Sequence, residues 1–232
     1  MIELNHAALP RLLENRKNHP NDKGMPENPR KAWESFSTEG KREIHDKLIV
    51  LQSDLCVYCE NKLDKYGFHI EHILSKTENP ELTFEYTNLS LSCIENESLF
   101  NKNTDDNPVS CGHAPLKRRN RYDENLFIKP TEKECNSLFS YQITGEIVSN
   151  INNSESDKKR VEHTIEVLNL NCKRLIRERE EIILQGYEII RELQDELEVL
   201  SHFFESEFEK VDDKYRYPFV SARKEHYDLF MK

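Results

Sequence analysis

Four of the six cysteines of this chain fall between Cys56 and Cys111. They lie in a stretch, Cys56–Lys117, that also carries His69-Ile-Glu-His72, Asn88-Leu89 and Cys111-Gly-His113. Cysteines gathered this way limit what the chain can fold into, because in a reducing compartment they serve metal or catalysis rather than disulfides. Cys56-Val-Tyr-Cys59 has the spacing of half a tetrahedral zinc site, two thiolates offered by one tight turn. The same pair serves redox chemistry in a thioredoxin-like βαβ context, which the flanking sequence lacks. Cys93 and Cys111 can complete a four-cysteine structural zinc site. They stand 18 residues apart, and the position three after Cys93 is Asn96, so there is no second CxxC. Cys135 and Cys172 lie outside the stretch and read as small buried apolar residues.

His69-Ile-Glu-His72 begins ten residues after Cys59 and is not the HExxH of a metalloprotease, since the glutamate and the spacing are misplaced. If Gly67–Ile73 is a strand, alternation sends Glu71 and His72 to opposite sides unless the strand ends there. Glu71 can offer oxygen to Mg²⁺ or another divalent cation. His72 can act as a neutral imidazole that draws a proton from water. The bland alternative for either histidine is a hydrogen-bonded structural side chain.

Around this stretch the chain reads as helix, loop and charged surface. A short helix is expected over Ala8–Lys17, and Pro20, Pro26 and Pro29 make Asn18–Arg30 a loop. Lys31–Ser53 reads as one helix, with Ile44, Leu48 and Leu51 on one face and Trp33 and Phe36 anchoring its start. Asn125–Lys129 and Leu138–Ile143 look like short strands or extended segments. Thr144-Gly145-Glu146 resembles a hairpin turn before Ile147-Val148. Ser149–Asp157 is the best linker. Lys158–Lys210 reads as one or two long helices with a broad apolar stripe through Ile176, Ile183, Ile190, Leu197 and Phe204. Gly186 within it marks a kink or a close packing contact. Tyr215–Lys232, rich in aromatics, reads as a cap that folds back.

Apolar residues make up 36% of the chain and charged residues 33%, which suits a small metal-stapled module joined to helices better than a thick α/β sheet. The net charge of −10 argues against free binding of a polyanion, yet the excess is local. Gly186–Asp213 carries ten acidic residues against two basic ones, whereas Lys117, Arg118, Arg119 and Arg121 form a basic run beside the cysteine-rich stretch. That run is the expected nucleic-acid-binding surface. No apolar run approaches the ~18 residues of a membrane span. The N-terminus lacks the basic start and long apolar centre of a signal peptide, so the cytoplasm is the expected compartment and no membrane is involved.

Taken together, these residues resemble the HNH nuclease motif, and more closely the HNH components of Septu-type anti-phage systems, including those carried by retrons (PtuB-like proteins). The resemblance rests on Cys56-Val-Tyr-Cys59-Glu60, Ile70-Glu71-His72, Tyr86-Thr-Asn88-Leu89, Ser92-Cys93 and Cys111-Gly112. Outside the core, Trp33-Glu-Ser-Phe36 and the run Thr164-Ile165, Leu168-Asn-Leu-Asn171, Leu175 and Arg179 also look like that family, so the likeness covers most of the chain.

The resemblance implies a mostly helical α+β fold with a ββα-metal core. The expected parts are an N-terminal helical or loop region over 1–48, the nuclease core over 49–130 and a helical region over 131–232. It implies a metal-dependent endonuclease that hydrolyses phosphodiester bonds of DNA or RNA as a toxic defence effector. His72 would be the general base, Asn88 would pin the loop that orients it, and Glu71 and His113 would hold a catalytic Mg²⁺ or Mn²⁺. The implied partners are an ABC/SMC-like ATPase (PtuA-like) and, in retron versions, a reverse transcriptase with its single-stranded DNA. The sequence departs from the pattern at its end, where Cys111-Gly-His113 and Lys117 replace paired cysteines and Asn-x-x-Lys. Asn101 and Asn103 could substitute as ligands, and His69 has no firm counterpart. The competing reading is a catalytically inactive, zinc-stabilised binding or scaffold subunit.

Overall fold

The computed structural model describes residues 1–6, 8–96 and 108–230. Helix α1 spans Arg11–Lys17, α2 Pro29–Glu34 and α3 Thr38–Leu51. The single helix expected over Lys31–Ser53 is therefore two. Asn28 caps α2 by accepting from the Lys31 amide, with Pro29 at the first helical position, and Ser37 starts α3 by accepting from the Gly40 amide. Phe36 lies between the two caps and brings the tip of its ring against Gly40, where a Cβ would come within 2.4 Å of its Cζ. Ile44 and Leu48 are fully buried on the inner face of α3.

Two strands follow, β1 (Phe68–His72) and β2 (Leu89–Cys93), paired antiparallel with His69 opposite Ser92, Glu71 opposite Ser90 and His72 opposite Leu89. After the segment outside the described residues come a 3₁₀ turn at Cys111–His113 and the short helix α4, Pro115–Arg118. Asn101 and Asn103 lie in that undescribed segment. Asn125–Lys129 is not a strand. It is a turn running into an irregular segment whose Phe127 and Ile128 are fully buried, the Ile128 amide donating to Thr164 Oγ1.

A hairpin of β3 (Phe139–Tyr141) and β4 (Ile147–Ser149) turns at Gly145, whose φ of +83° favours glycine. The expected linker after it is an ordered turn, in which Asn153 Nδ2 donates to the Leu138 carbonyl and Ser154 caps α5 (Glu155–Leu168). The long helical stretch is three helices, α5, α6 (Lys173–Leu193) and α7 (Leu197–Phe208). Asn169 ends α5 in the left-handed region, and residues 194–196 separate α6 from α7. The minimal hairpin of β5 (Lys210–Val211) and β6 (Lys214–Tyr215) leads to α8 (Val220–Tyr227).

One hydrophobic cluster runs through α1, α3, the β1–β2 ribbon, the β3–β4 hairpin, α5 and the first half of α6. Ile190, Phe204 and Tyr227 form a smaller cluster that joins α6, α7 and α8. Gly186 serves this second contact as a packing glycine, because a Cβ there would lie 1.8 Å from the Tyr227 hydroxyl oxygen. That hydroxyl donates to the Ile182 carbonyl. No described helix is long and apolar enough to cross a membrane.

Candidate active site beside a four-cysteine cluster

The turn that presents Cys56 and Cys59 is built from its own backbone. Glu60, at φ +62°, donates its amide to the Cys56 carbonyl, and the Cys56 amide donates to Asn61. Val57 then bonds to Leu91 of β2, which brings the turn to Cys93 at the end of that strand. Cys111 arrives from the far side at φ +60°. Its segment is tied to the C-terminal helices, since Asn169 Nδ2 donates to the Val109 carbonyl and Arg174 Nη2 to Ser110 Oγ.

The result is four buried sulfurs all within 4.8 Å of one another, Cys59 and Cys93 at 3.6 Å. Bonds of about 2.3 Å to a tetrahedral ion put sulfurs roughly 3.8 Å apart, so the cluster could bind zinc. The Cys93 amide donates to Cys56 Sγ at 3.3 Å. Burial opposes ionisation of Cys56, but hydrogen bonds from Cys111, Cys59 and Cys93 bring its pKa well below the ordinary thiol value. Hydrogen bonding within the cluster holds Cys93 well above that value, and burial does the same for Cys111. Cys135 and Cys172 are buried outside the cluster.

One residue past Cys111, the backbone of Gly112 passes so close to β1 that a Cβ would come within 2.7 Å of both Glu71 Oε2 and His69 Nε2. Any larger residue there would push the Glu71 carboxylate and the His69 ring out of place. His69 and Glu71 share a face of β1, with His69 Nε2 3.2 Å from Glu71 Oε2 and His69 Nδ1 3.0 Å from the Ile94 carbonyl. Burial disfavours a charged His69, but the hydrogen bond and charge of Glu71 raise its pKa above the ordinary value. Glu71 is 9% exposed, and burial alone would raise its pKa. The nearby Lys117 charge and the His69 hydrogen bond instead hold it far below the usual carboxylate range. The His113 ring lies 4.2 Å from that of His69 between centroids, and its Nε2 is buried with no hydrogen-bond partner among the described residues. Burial and the charge of His69 lower its pKa.

His72, the last residue of β1, points to the other side, as strand alternation requires. Because β1 stops there, both faces border the same cleft of about 270 Å³, which His72, Glu71 and His113 line together. His72 is 6% exposed, and its ring lies nearly perpendicular to that of Trp33 with centroids 4.6 Å apart. Its Nε2 is 3.0 Å from the Thr83 carbonyl, which can only accept, so Nε2 carries the proton and Nδ1 the lone pair. Burial, followed by the charge of Lys76, pushes the pKa of His72 down to about 3, so the ring is neutral at pH 7. The side-chain hydrogen bonds of Asn88 do not go to His72. The Asn88 side chain bridges the Leu74 amide (2.8 Å) and carbonyl (3.0 Å) and donates to Leu82, closing the loop that delivers the Thr83 carbonyl.

The basic run divides. Lys117, expected at the nucleic-acid surface, turns inward and is 6% exposed. Its ammonium lies 2.9 Å from Glu71 Oε1, donates to the His72 carbonyl at 3.1 Å and sits over the Tyr122 and Phe127 rings. The reason is position: Lys117 occupies the inner face of α4, where only pairing with Glu71 makes a buried charge tolerable. Arg118, Arg119 and Arg121 are exposed, and Arg118 borders the cleft. Sequence reasoning missed Arg30 and Lys76, which line the same cleft. Lys76 falls four residues after His72, a spacing that was available as a signal, whereas nothing in the sequence tied Arg30 to the site.

No family model matches the chain. It is 33% identical over 190 residues, 79% of its length and 82% of the relative's, to a Vibrio cholerae serotype O1 biovar El Tor protein named "Retron Vc95 putative HNH endonuclease". It is also 26% identical over 200 residues, 72% of its length and 76% of the relative's, to an Escherichia coli protein named "Retron Ec83 putative HNH endonuclease". On the first of these similarities, the chain belongs to the family of retron HNH endonucleases.

Proposed function

We propose that this protein is a metal-dependent HNH endonuclease that hydrolyses phosphodiester bonds and acts as the toxic effector of a Septu-type anti-phage complex. The observation that carries the reading is His72, a buried neutral imidazole at the cleft shared with Glu71 and His113, whose Nε2 is committed to the Thr83 carbonyl and whose Nδ1 keeps its lone pair, 3.4 Å from the Lys76 ammonium. A base held in one tautomer at the wall of a cleft is what abstraction of a proton from water requires.

Glu71, His113 and the adjacent His69 would hold Mg²⁺ or Mn²⁺. The fit is supported by the unpartnered Nε2 of His113 and by the space that glycine at 112 leaves in front of Glu71 Oε2. Such an ion, when bound, neutralises charge developing on the phosphoryl and leaving oxygens. Lys117 keeps Glu71 ionised and holds its Oε1, while Oε2 lies 3.2 Å from His69 Nε2. Nδ1 of His72 takes the proton of the attacking water, while Trp33 and the Thr83 carbonyl fix the ring. Asn88 positions the loop behind it. The four cysteines hold zinc as a structural staple that fixes Gly112 against β1. Arg118, Arg119 and Arg121 contact the backbone of the strand.

The retron names of the relatives support a retron setting, with a reverse transcriptase and its single-stranded DNA as companions; the ABC/SMC-like, PtuA-like ATPase follows from the sequence resemblance alone. The acidic α7, with Leu197 and Val199 exposed, is the surface offered to that partner.

The test compares wild type with His72→Ala on single-stranded DNA, duplex DNA and total RNA, with Mg²⁺ or Mn²⁺, with and without the ATPase. Loss of a general base predicts a rate at least about 10²-fold lower in whichever lane the wild type cuts. Wild type and variant that behave alike in every lane while still binding the partner would replace the enzyme with a zinc-stabilised scaffold.

A further inference from the structure

The charge of the cleft runs against that of the chain. The protein carries −10 overall, yet the described residues that line the cleft include Arg30, Lys76, Lys117 and Arg118 and, among them, a single carboxylate, Glu71. Glu71 is already engaged, by Lys117 at 2.9 Å and by His69 at 3.2 Å. Lys76 has no carboxylate within ion-pair reach among the described residues, and its hydrogen-bond partner there is His72 Nδ1 at 3.4 Å. A half-buried ammonium resting on an imidazole lone pair gives up hydration for only the longer-range attraction of Glu71 and Glu34. Such an excess of cations in a concave site attracts an anion. Arg30, at the second position of α2, brings another cation to the same cleft from outside the cysteine-rich stretch. Ser75 and Thr77 flank Lys76 at the rim and add hydroxyl donors.

We propose that the cleft binds one backbone phosphate of the substrate strand between Lys76, Arg30 and Arg118, and that Lys76 leaves His72 Nδ1 for a phosphate oxygen as the strand seats. This rests on the reading of the cleft as a nuclease site and adds how the strand is placed in it. In the free protein the ammonium occupies the lone pair that must take a proton from water. A seated phosphate draws it away and exposes the base only when there is a phosphodiester to cut. Lys76 is thus a positioning residue for substrate and for His72, and Arg30 makes the N-terminal helices part of the site.

The experiment measures binding of a fluorescein-labelled single-stranded 20-mer, as DNA and as RNA, to the full chain without added Mg²⁺ or Mn²⁺ over a range of salt. Cleavage of the same strands is then followed with the metal present. Lys76→Met should weaken binding at least fivefold and reduce the slope of log K against log salt by about 0.7, the value of one phosphate contact on a single strand. It should also raise KM for cleavage, while Lys76→Arg restores most of the affinity. Arg30→Ala should behave like Lys76→Met, and Lys159→Ala, on the exposed side of α5, should leave affinity and slope unchanged. A wild type that binds and cuts the 20-mer, with Lys76→Met equal to it in affinity, slope and KM, overturns the phosphate site alone. A wild type that neither binds nor cuts either strand overturns the nuclease reading and the phosphate site with it. Inorganic phosphate that shifts the His72 side-chain resonances of a protein that does not bind the 20-mer would make this a free-phosphate site and overturn the strand assignment.

Discussion

Lys117 shows how a residue's meaning changes once its neighbours are known. In the sequence it opens a basic run, whereas in the fold its ammonium is buried on Glu71 and on the His72 carbonyl, beneath Tyr122 and Phe127. Burial works against its charge, but Glu71 and then Tyr122 raise its pKa above the ordinary lysine value. Removing one partner of a buried pair leaves the other uncompensated, at a cost on the order of 3–5 kcal/mol, whereas replacing both is far milder. Lys117→Met should therefore lower the stability measured by urea unfolding by about 3 kcal/mol. Lys117→Met combined with Glu71→Leu should recover most of that loss, and a double variant no more stable than the single one would show that the pair is not what Lys117 supports. His69 also looked optional in the sequence, but it shares a hydrogen bond with Glu71 at the Gly112 crossing.

Among the elements, the helices are set by short-range signals and their packing by single glycines. Ser37 and Ser154 cap α3 and α5 as their types favour. Gly145 supplies the φ of the β3–β4 turn, and its carbonyl accepts from the buried Arg179 of α6 at 2.5 Å. The apolar stripe of α6 and α7 is only partly buried: Ile183, Ile190 and Phe204 are inside, whereas Leu197 is 74% exposed at the start of α7. Gly186 lets α8 approach α6, so Gly186→Ala should cost about 1–3 kcal/mol by overpacking against Tyr227, although alanine is the better helix former. Thermal unfolding checks this. A variant more stable than wild type would mean that helix propensity, not contact with α8, governs the position.

For the molecule as a whole, the four-cysteine cluster is a junction. Cys56 and Cys59 come from the turn after α3, Cys93 from β2 and Cys111 from a segment tied to α5 and α6, so one ion would join the N-terminal and C-terminal parts around the ribbon. Zinc in such a site is part of the folding free energy. Elemental analysis should find one zinc per purified chain, and Cys93→Ser should lose it and unfold at a lower temperature. Cys135→Ser should keep the zinc. A Cys93→Ser protein that still holds one zinc per chain would refute the four-sulfur assignment.

The sequence by itself determined the local chemistry. Cysteine spacing, capping serines, the turn glycine and the strand alternation that separates Glu71 from His72 are all short-range, and each is written in residue type and interval. The motif around His69–His72 and Asn88-Leu89 was legible for the same reason. Tertiary structure decided what distance along the chain hides. It set the fate of Lys117, the tautomer of His72 through the Thr83 carbonyl, the entry of Arg30 and Lys76 into the cleft, and the burial of Asn125–Lys129 without strand pairing. Burial and charge pairing arise from the sum of neighbours brought together by the core, and no interval in the sequence encodes that sum.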